Sequence, residues 1–423
     1  MRSSSKISNV ILWSVISAAF IGPGTITTAI TAGSLFQIEL LWVVVFATLA
    51  CIFLQEVSAR ITIASGLTFG QTLTRKYGDD KSAWIKWMVA LPVLLGCAAY
   101  EAGNILGAVS GIALLIPGDG QMYTLIITVI AGFVLWRGGS RAISLIMTTL
   151  VGIMGIAFLI LAFQTRFSFS ELFFAAVVPK LPQGSEWIAL ALLGTTIVPY
   201  NIFIGSAISK GHTIPLMRIG LTISVIIGGL ITCWIMIAGS LTNGFSSFEE
   251  LAASLHGKLG NVGSWALGIG LFAAGFSSAI TSPYAASLIA STVLGSKDNR
   301  MVRGVWMLIL FTGFIFGFSG VKPIPVILAV QALNGFVLPL LAYFLILLVN
   351  DKQVIPSANH HGLAYNLILI LIFGVTLLIG LNNVDKAITT GFQLSTNHFE
   401  IVLIVTVFAL AHLGFHLWKI KRL

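Results

Sequence analysis

Long apolar runs separated by short polar joints fill almost the whole chain. Runs of about 20 apolar residues, the length a helix needs to cross a bilayer, fall near 9–35, 39–64, 84–116, 122–136, 142–164, 186–209, 215–241, 263–295, 304–319, 323–349, 363–381 and 400–418. This pattern predicts an all-α polytopic membrane protein with about 12 transmembrane helices. The third and eighth runs are long enough to tilt or to extend past the bilayer. Two runs are interrupted in the middle, the first by Ile21-Gly22-Pro23-Gly24-Thr25 and the sixth by Gly194-Thr195-Thr196-Ile197-Val198-Pro199-Tyr200-Asn201. Proline removes a backbone donor and clashes with the preceding turn, while glycine adds backbone freedom. In lipid the freed backbone groups must find partners, so broken backbone is tolerated only where it lines a cavity or is buried in protein. Each break therefore marks a candidate site at membrane depth.

The breaks lie five spans apart. Spans one to five (about 9–164) and six to ten (about 186–349) would form two five-helix units, each opening on a broken helix. Five is odd, so the second unit enters the membrane from the opposite side. Paired Gly/Pro-interrupted spans at corresponding positions point to a secondary transporter with an inverted repeat and a substrate site between the breaks at mid-bilayer. The expected architecture is a LeuT-type five-plus-five core in residues 1–350, with helices 11 and 12 in 351–423. The plainer reading is an unrelated bundle with two ordinary proline kinks.

Composition agrees. Hydrophobic residues make up 57% of the chain, charged residues 9%, and mean hydropathy is +1.00, values that no soluble domain of this length has. A net charge of +9 would by itself suggest a nucleic acid or an acidic partner. Threading the spans from a cytoplasmic N-terminus instead puts 18 of the 23 basic residues inside, leaving Arg166, Lys180, Lys258, Lys322 and Lys386 outside. By the positive-inside rule both termini are cytoplasmic, the location is the plasma (inner) membrane, and the partners are the bilayer and a small solute or ion rather than nucleic acid. Cys51, Cys97 and Cys233 all sit in apolar runs and match no disulfide or zinc spacing. No cleavable leader is expected at the N-terminus. Of the longer outside loops, 243–262 and 382–398 could each hold a short surface helix, the first capped by Ser247 ahead of Phe248-Glu249-Glu250.

Polar residues inside the spans are the candidate chemistry. Glu101 lies near the middle of span three, and Asn104, three residues on, shares its face. A carboxylate there reads as a proton carrier or cation ligand, or else as a neutral acid bonding helices together. Glu56 and Arg60 stand at i and i+4 near the cytoplasmic end of span two, the spacing of a structural ion pair. The run Ala273 to Ser282 in span eight is rich in small and hydroxyl residues, which suits close helix packing. Gln331 and Asn334 share a face of span ten and suit packing or cavity lining equally. His412 and His416 have a metal-binding spacing but lie outside the repeat, and His360-His361 reads as a solvated loop pair. No nucleophile elbow, phosphate loop or metal motif suggests an enzyme, and no cofactor is expected.

Gly22-Pro23-Gly24-Thr25, Ala32-Gly33-Ser34, Leu40-Leu41-Trp42-Val43, Leu54-Gln55 and Ser58-Ala59-Arg60 together resemble spans one and two of the Nramp proton-coupled divalent-metal transporters. Thr196-Ile197-Val198-Pro199-Tyr200-Asn201 resembles span six of that family, and Ala273-Ala274-Gly275-Phe276-Ser277-Ser278 its span eight. The resemblance runs through spans one to ten in order and implies the LeuT-type fold. It also implies a substrate site at Gly22, Thr25, Thr195, Val198, Tyr200, Asn201 and Gln331, with Glu101 and Asn104 on the proton pathway. Metal contacts would come from Thr25 and Thr195. This chain departs from the family at the metal ligands: Gly22 stands at the aspartate position, Thr25 at the asparagine, Val198 at the methionine, and Tyr200 and Gly205 at two histidines. A divalent cation wants charged or soft ligands to offset dehydration, and this set offers neither in the broken helices. Three readings follow: uptake of a divalent cation at an altered site, driven by protons through Glu101; transport of a neutral or organic solute such as an amino acid; and a non-transporting sensor or assembly partner. The first is the leading one.

Overall fold

The computed structural model describes residues 13, 20–78, 83–137, 140–294, 298–356, 361–391 and 399–422. Among these it forms sixteen helices: α1 (Pro23–Phe36), α2 (Leu41–Ser65), α3 (Phe69–Tyr77), α4 (Ala83–Leu115), α5 (Gly120–Arg137), α6 (Ser140–Ala162), α7 (Phe169–Val177), α8 (Glu186–Thr196), α9 (Pro199–Ile208), α10 (Ile214–Gly239), α11 (Phe248–Leu259), α12 (Asn261–Leu294), α13 (Asn299–Phe318), α14 (Pro323–Asn350), α15 (Leu363–Gly391) and α16 (Phe399–Arg422). Residues 9–12 and 14–19 of the first run lie outside the described residues, as do Arg2, Lys6, Lys81, Lys297 and His360. Ten described stretches are long and apolar enough to cross a membrane, with Thr148–Ala162 a shorter apolar helix beside them.

Packing shows the inverted repeat. Span one packs on span seven (α1 on α10), and in return span six packs on span two (α8 and α9 on α2). Span three meets span ten (α4 with α14), and span eight meets span five (α12 with α6). Spans three and eight, equivalent in the two units, share the most extensive seam, α4 against α12. Such reciprocity is what a two-fold relation between two five-helix units produces. The α4–α12 seam is tight because a β-carbon at Gly111 would press on the Phe272 backbone and one at Gly275 on the Ala108 backbone. Small residues are how membrane helices approach closely without a hydrophobic driving force.

The layers follow from burial. The α8–α9 stretch is buried along its whole apolar window, whereas α5, α13 and α16 turn large side chains such as Phe133, Phe311 and Phe408 outward. Side chains of that kind belong against lipid. The broken helices therefore stand at the centre beside the largely buried α4, α12 and α14, and α5, α13 and α16 lie in the outer ring.

Three short helices lie in the joints. α11 is capped as the sequence suggests, Ser247 Oγ accepting from the Glu250 amide at 3.2 Å. Of the other loop expected to hold a surface helix, 382–398, residues up to Gly391 continue α15, and 392–398 lie outside the described residues. An outside loop that does hold one is 165–185, where Ser168 and Glu171 form a capping box at the start of α7. A second capping box, Thr68 with Gln71, starts α3 between spans two and three.

Candidate functional site

Both predicted breaks are real interruptions. α1 starts at Pro23, with Gly22 extended at φ −110° and ψ −173°. The Gly22 carbonyl accepts from the amides of Thr25 (3.0 Å) and Ile26 (3.2 Å), so the new helix winds up immediately after the break. α8 ends at Thr196; Val198 is extended at φ −73° and ψ 123°, and α9 starts at Pro199. Proline at the first helical position costs no hydrogen bond, because that amide would be unpaired in any case. The N-termini of α1 and α9 and the C-terminus of α8 thus meet at one depth, with opposite ends of their dipoles facing the gap.

One hydrogen bond joins the two breaks. Thr25 Oγ1 donates to the Phe20 carbonyl at 2.5 Å and lies 2.8 Å from Thr195 Oγ1. A hydroxyl has one proton, and that of Thr25 is committed to Phe20, so Thr195 is the donor between the two. A hydroxyl beside each break therefore holds the other.

Beside this bond lies a cavity of about 10 Å³, room for about one water-sized sphere. Phe20, Gly22, Gly24 and Thr25 form one wall and Thr195 and Tyr200 the opposite one. Tyr100 and Asn104 come from α4, Ser278 from α12 and Gln331 from α14. Tyr100 donates its hydroxyl to the Gly194 carbonyl at 2.8 Å and packs edge-on against Tyr200, with ring centroids 5.4 Å apart. Ser278 Oγ and Gln331 Oε1 are buried and have no hydrogen-bond partner.

Six of the sequence-predicted residues come together on this wall: Gly22, Thr25, Thr195, Tyr200, Gln331 and Asn104. Glu101, Val198 and Asn201 do not line it. Val198 packs in the apolar core, and Asn201 is buried in the first turn of α9. Glu101 stands one step behind the wall, where its Oε2 accepts from Asn104 Nδ2 at 3.2 Å and its Oε1 has no partner. Sequence reasoning passed over Phe20, Gly24, Tyr100 and Ser278 as lining residues. Tyr100 could have been found, since it sits four residues before Asn104 and shares its face. Ser278 was hidden in a hydroxyl-rich run whose other members do serve packing, such as Ser282, which donates to the Cys97 carbonyl at 2.8 Å.

A second polar cluster forms at the far end of α2. Glu56 Oε1 accepts from Arg60 Nη2 (2.5 Å) and Arg218 Nε (2.9 Å), and its Oε2 accepts from Arg60 Nε (3.3 Å) and the Tyr365 hydroxyl (2.5 Å). The expected Glu56–Arg60 pair is present, and α10 and α15 join it. His361 is not a solvated loop residue: it bonds Asn366 Oδ1 at 2.9 Å and packs on Tyr365 at 4.7 Å, because α15 begins beside it. His412 stacks on Tyr343 and bonds its hydroxyl at 3.3 Å. Among the described residues no group of three or more His, Cys, Asp or Glu side chains could hold a metal ion.

An all-helical membrane bundle with two five-helix units, paired breaks and a cavity between them is a secondary transporter scaffold of the LeuT type. The chain belongs to the Nramp family, since the natural resistance-associated macrophage protein-like model matches residues 14–384. Among curated relatives it is 26% identical over 358 residues to the divalent metal cation transporter MntH of Caldanaerobacter subterraneus subsp. tengcongensis, covering 80% of this chain and 84% of that one. Among solved structures it is similar to the Eremococcus coleocola manganese transporter, with a TM-score of 0.77 at 17% identity over 100% of this chain and 97% of that one. It is also similar in fold to Mhp1, a nucleobase-cation-symport-1 family transporter, with a TM-score of 0.57 at 13% identity over 98% and 92% of the two chains.

Proposed function

We propose that this chain is a secondary active transporter that carries a divalent cation through the cavity between the two breaks. The observation that carries the reading is the Thr25–Thr195 bond closing both interrupted helices over a small cavity with unpartnered oxygens. The family relation supports it, since the curated relative is called a divalent metal cation transporter and the Eremococcus protein a manganese transporter. In the conformation described here, a cavity of about 10 Å³ suits a monatomic ion and excludes an amino acid. The wall carries hydroxyl and amide oxygens with no carboxylate and no sulfur, a donor set for a hard cation rather than a soft one. That same neutral wall is what favours the second reading, a neutral or organic solute, whose entry would require the cavity to widen.

Protons are the proposed coupling ion, and Glu101 their carrier. Its carboxyl is buried one side chain behind the wall and bonds only Asn104, so a proton gained or lost there is felt at the cavity through one amide. Residues 1–350 are the proposed transport core, with repeats at about 9–164 and 186–349, and 351–423 add the last two helices. The proposed orientation places both termini in the cytoplasm, in the plasma (inner) membrane, by the distribution of basic residues.

Uptake into proteoliposomes tests this directly. Mn²⁺ or Mg²⁺ is expected to enter, with acidification of the lumen if protons accompany it. Glu101→Gln is expected to abolish the proton flux, and unchanged proton-coupled uptake in that variant would remove Glu101 from the mechanism. An amino acid that stabilises the purified protein against heat where neither metal does would give the second reading the site.

A further inference from the structure

The first break carries glycine on both sides of Pro23, and each glycine seats a polar side chain from another helix. A β-carbon at Gly24 would overlap the Gln331 amide from α14. A β-carbon at Gly22 would lie 2.7 Å from Ser278 Oγ, 3.4 Å from Ser278 Cβ and 3.6 Å from Asn104 Oδ1. Real β-carbons do not approach an oxygen to 2.7 Å, so Ser278 can stand where it does only because residue 22 has no side chain.

The Ser278 hydroxyl is also unlike its neighbours. A serine or threonine in a membrane helix ordinarily bonds a carbonyl three or four residues back. Ser277 does so to Ala274 (3.0 Å), and Thr281 does so to Ser277 (2.9 Å). Ser278 is 1% exposed, lines the cavity, and has no hydrogen-bond partner. An unsatisfied buried hydroxyl is costly, and of those among the described residues, Thr27, Thr28, Thr72, Thr128, Thr196 and Ser224 included, Ser278 is the one that borders the cavity, where a guest could satisfy it.

We propose that Ser278 is a ligand of the transported cation, and that positions 22 and 278 are a single ligand locus divided between α1 and α12. The proposal rests on the reading of the cavity as the cation site. A side chain on residue 22 would reach the cavity from the broken helix itself; with glycine there, Ser278 of α12 occupies that space with a neutral oxygen. The donor is hard and uncharged, so it favours an oxygen-seeking ion over a thiophilic one. It also leaves the ion's charge to be met by carbonyl and amide dipoles. Gln331, whose amide nitrogen sits over the other glycine and whose Oε1 is likewise unpartnered, supplies a second oxygen of the same kind.

The test uses the full chain in proteoliposomes, with Mg²⁺ and Mn²⁺ as probes. Ser278→Ala keeps the β-carbon and removes the oxygen; it is expected to raise the KM of whichever ion the wild type carries by about tenfold, the equivalent of one good hydrogen bond or ligand contact. Gly22→Ser alone crowds Ser278 and is expected to lose uptake. The exchange Gly22→Ser with Ser278→Gly moves the oxygen from one helix to the other and is expected to recover most of it. Ser278→Cys with Cd²⁺ should show a thiolate-to-cadmium absorption band absent from the wild type, a signature that a purely structural serine could not produce. A Ser278→Ala variant with wild-type kinetics, an exchange no better than Gly22→Ser alone, or no cadmium band would overturn the ligand assignment while leaving the cavity reading intact. A wild type that carries and binds neither ion would sink the cavity reading, and the ligand assignment with it.

Discussion

Two buried polar clusters of this protein differ in one respect above all: one is saturated and the other is not. At the end of α2, the Glu56 carboxylate accepts four hydrogen bonds, from Arg60 twice, from Arg218 and from Tyr365. Two carboxylate oxygens offer about four lone-pair sites, so nothing is left over for a guest. At the breaks, Ser278 Oγ, Gln331 Oε1 and Glu101 Oε1 have no partner at all. Buried polar groups that only hold a fold together are expected to be satisfied, and those left open are where a ligand or proton has a place. The charge lies the other way round from a naive search: the cluster rich in charge is the structural one, and the neutral cluster is the candidate site.

Removing the carboxylate is the harshest way to break this comparison. Glu56→Ala removes the carboxylate that pairs with Arg60, buried on α2, and frees the grip of α2 on α10 and α15. Losing one member of a buried ion pair costs about 3–5 kcal/mol. The variant is expected to lose detergent-solubilised stability by that order, read as a lowered Tm. No mutation of a neutral wall residue should match it. A Tm within a degree of wild type would mean that the cluster is not the structural tie its geometry indicates.

Tyr365→Phe should be milder. It removes a hydroxyl that donates to Glu56 Oε2 at 2.5 Å, while the ring keeps its contacts with Phe53, 5.1 Å away, and beneath Arg60 at 5.5 Å. A hydrogen bond to a charged group is worth about 1.5–3 kcal/mol, so the expected loss lies below that of Glu56→Ala. The same thermal measurement checks it, and an equal loss from both substitutions would mean that Tyr365 carries the cluster rather than supports it.

Much of this was legible beforehand, for reasons that can be named. The breaks at Pro23 and Pro199 were plain because Gly22 and Gly24 flank the first proline and Gly194-Thr195-Thr196 precedes the second, whereas Pro92, Pro283 and Pro339 lie within continuous helices, and their five-span separation implied the inverted repeat. The Glu56–Arg60 pair could be read because i and i+4 is a local relation. Arg218 and Tyr365 could not, because they lie 162 and 309 residues from Glu56 and no periodicity links them. α3 and α7 were overlooked although both begin with a capping box, Thr68-Gln71 and Ser168-Glu171, because attention to apolar length hides short helices. Ser278 was hidden for a subtler reason. The role proposed for it depends on an absence at Gly22, and a missing side chain gains meaning only when the opposite helix is in place.

The finest probe of the comparison is the Thr25–Thr195 bond, a satisfied contact inside the unsatisfied cluster. Thr25→Val and Thr195→Val keep the shape of each side chain and remove its hydroxyl. Thr25 also donates to the Phe20 carbonyl at 2.5 Å, so its loss removes two bonds, whereas Thr195→Val removes only the donor between the breaks. Each neutral hydrogen bond is worth about 0.5–1.5 kcal/mol, which makes Thr25→Val the larger of two small stability effects. If the bond couples the two broken helices, the double variant should lose less than the sum of the singles, because the second substitution removes a contact already gone. The same pair should change transport more than stability, since both hydroxyls border the cavity. Additive losses in Tm with unchanged uptake would mean that the two hydroxyls act separately and that the breaks are held by backbone packing alone.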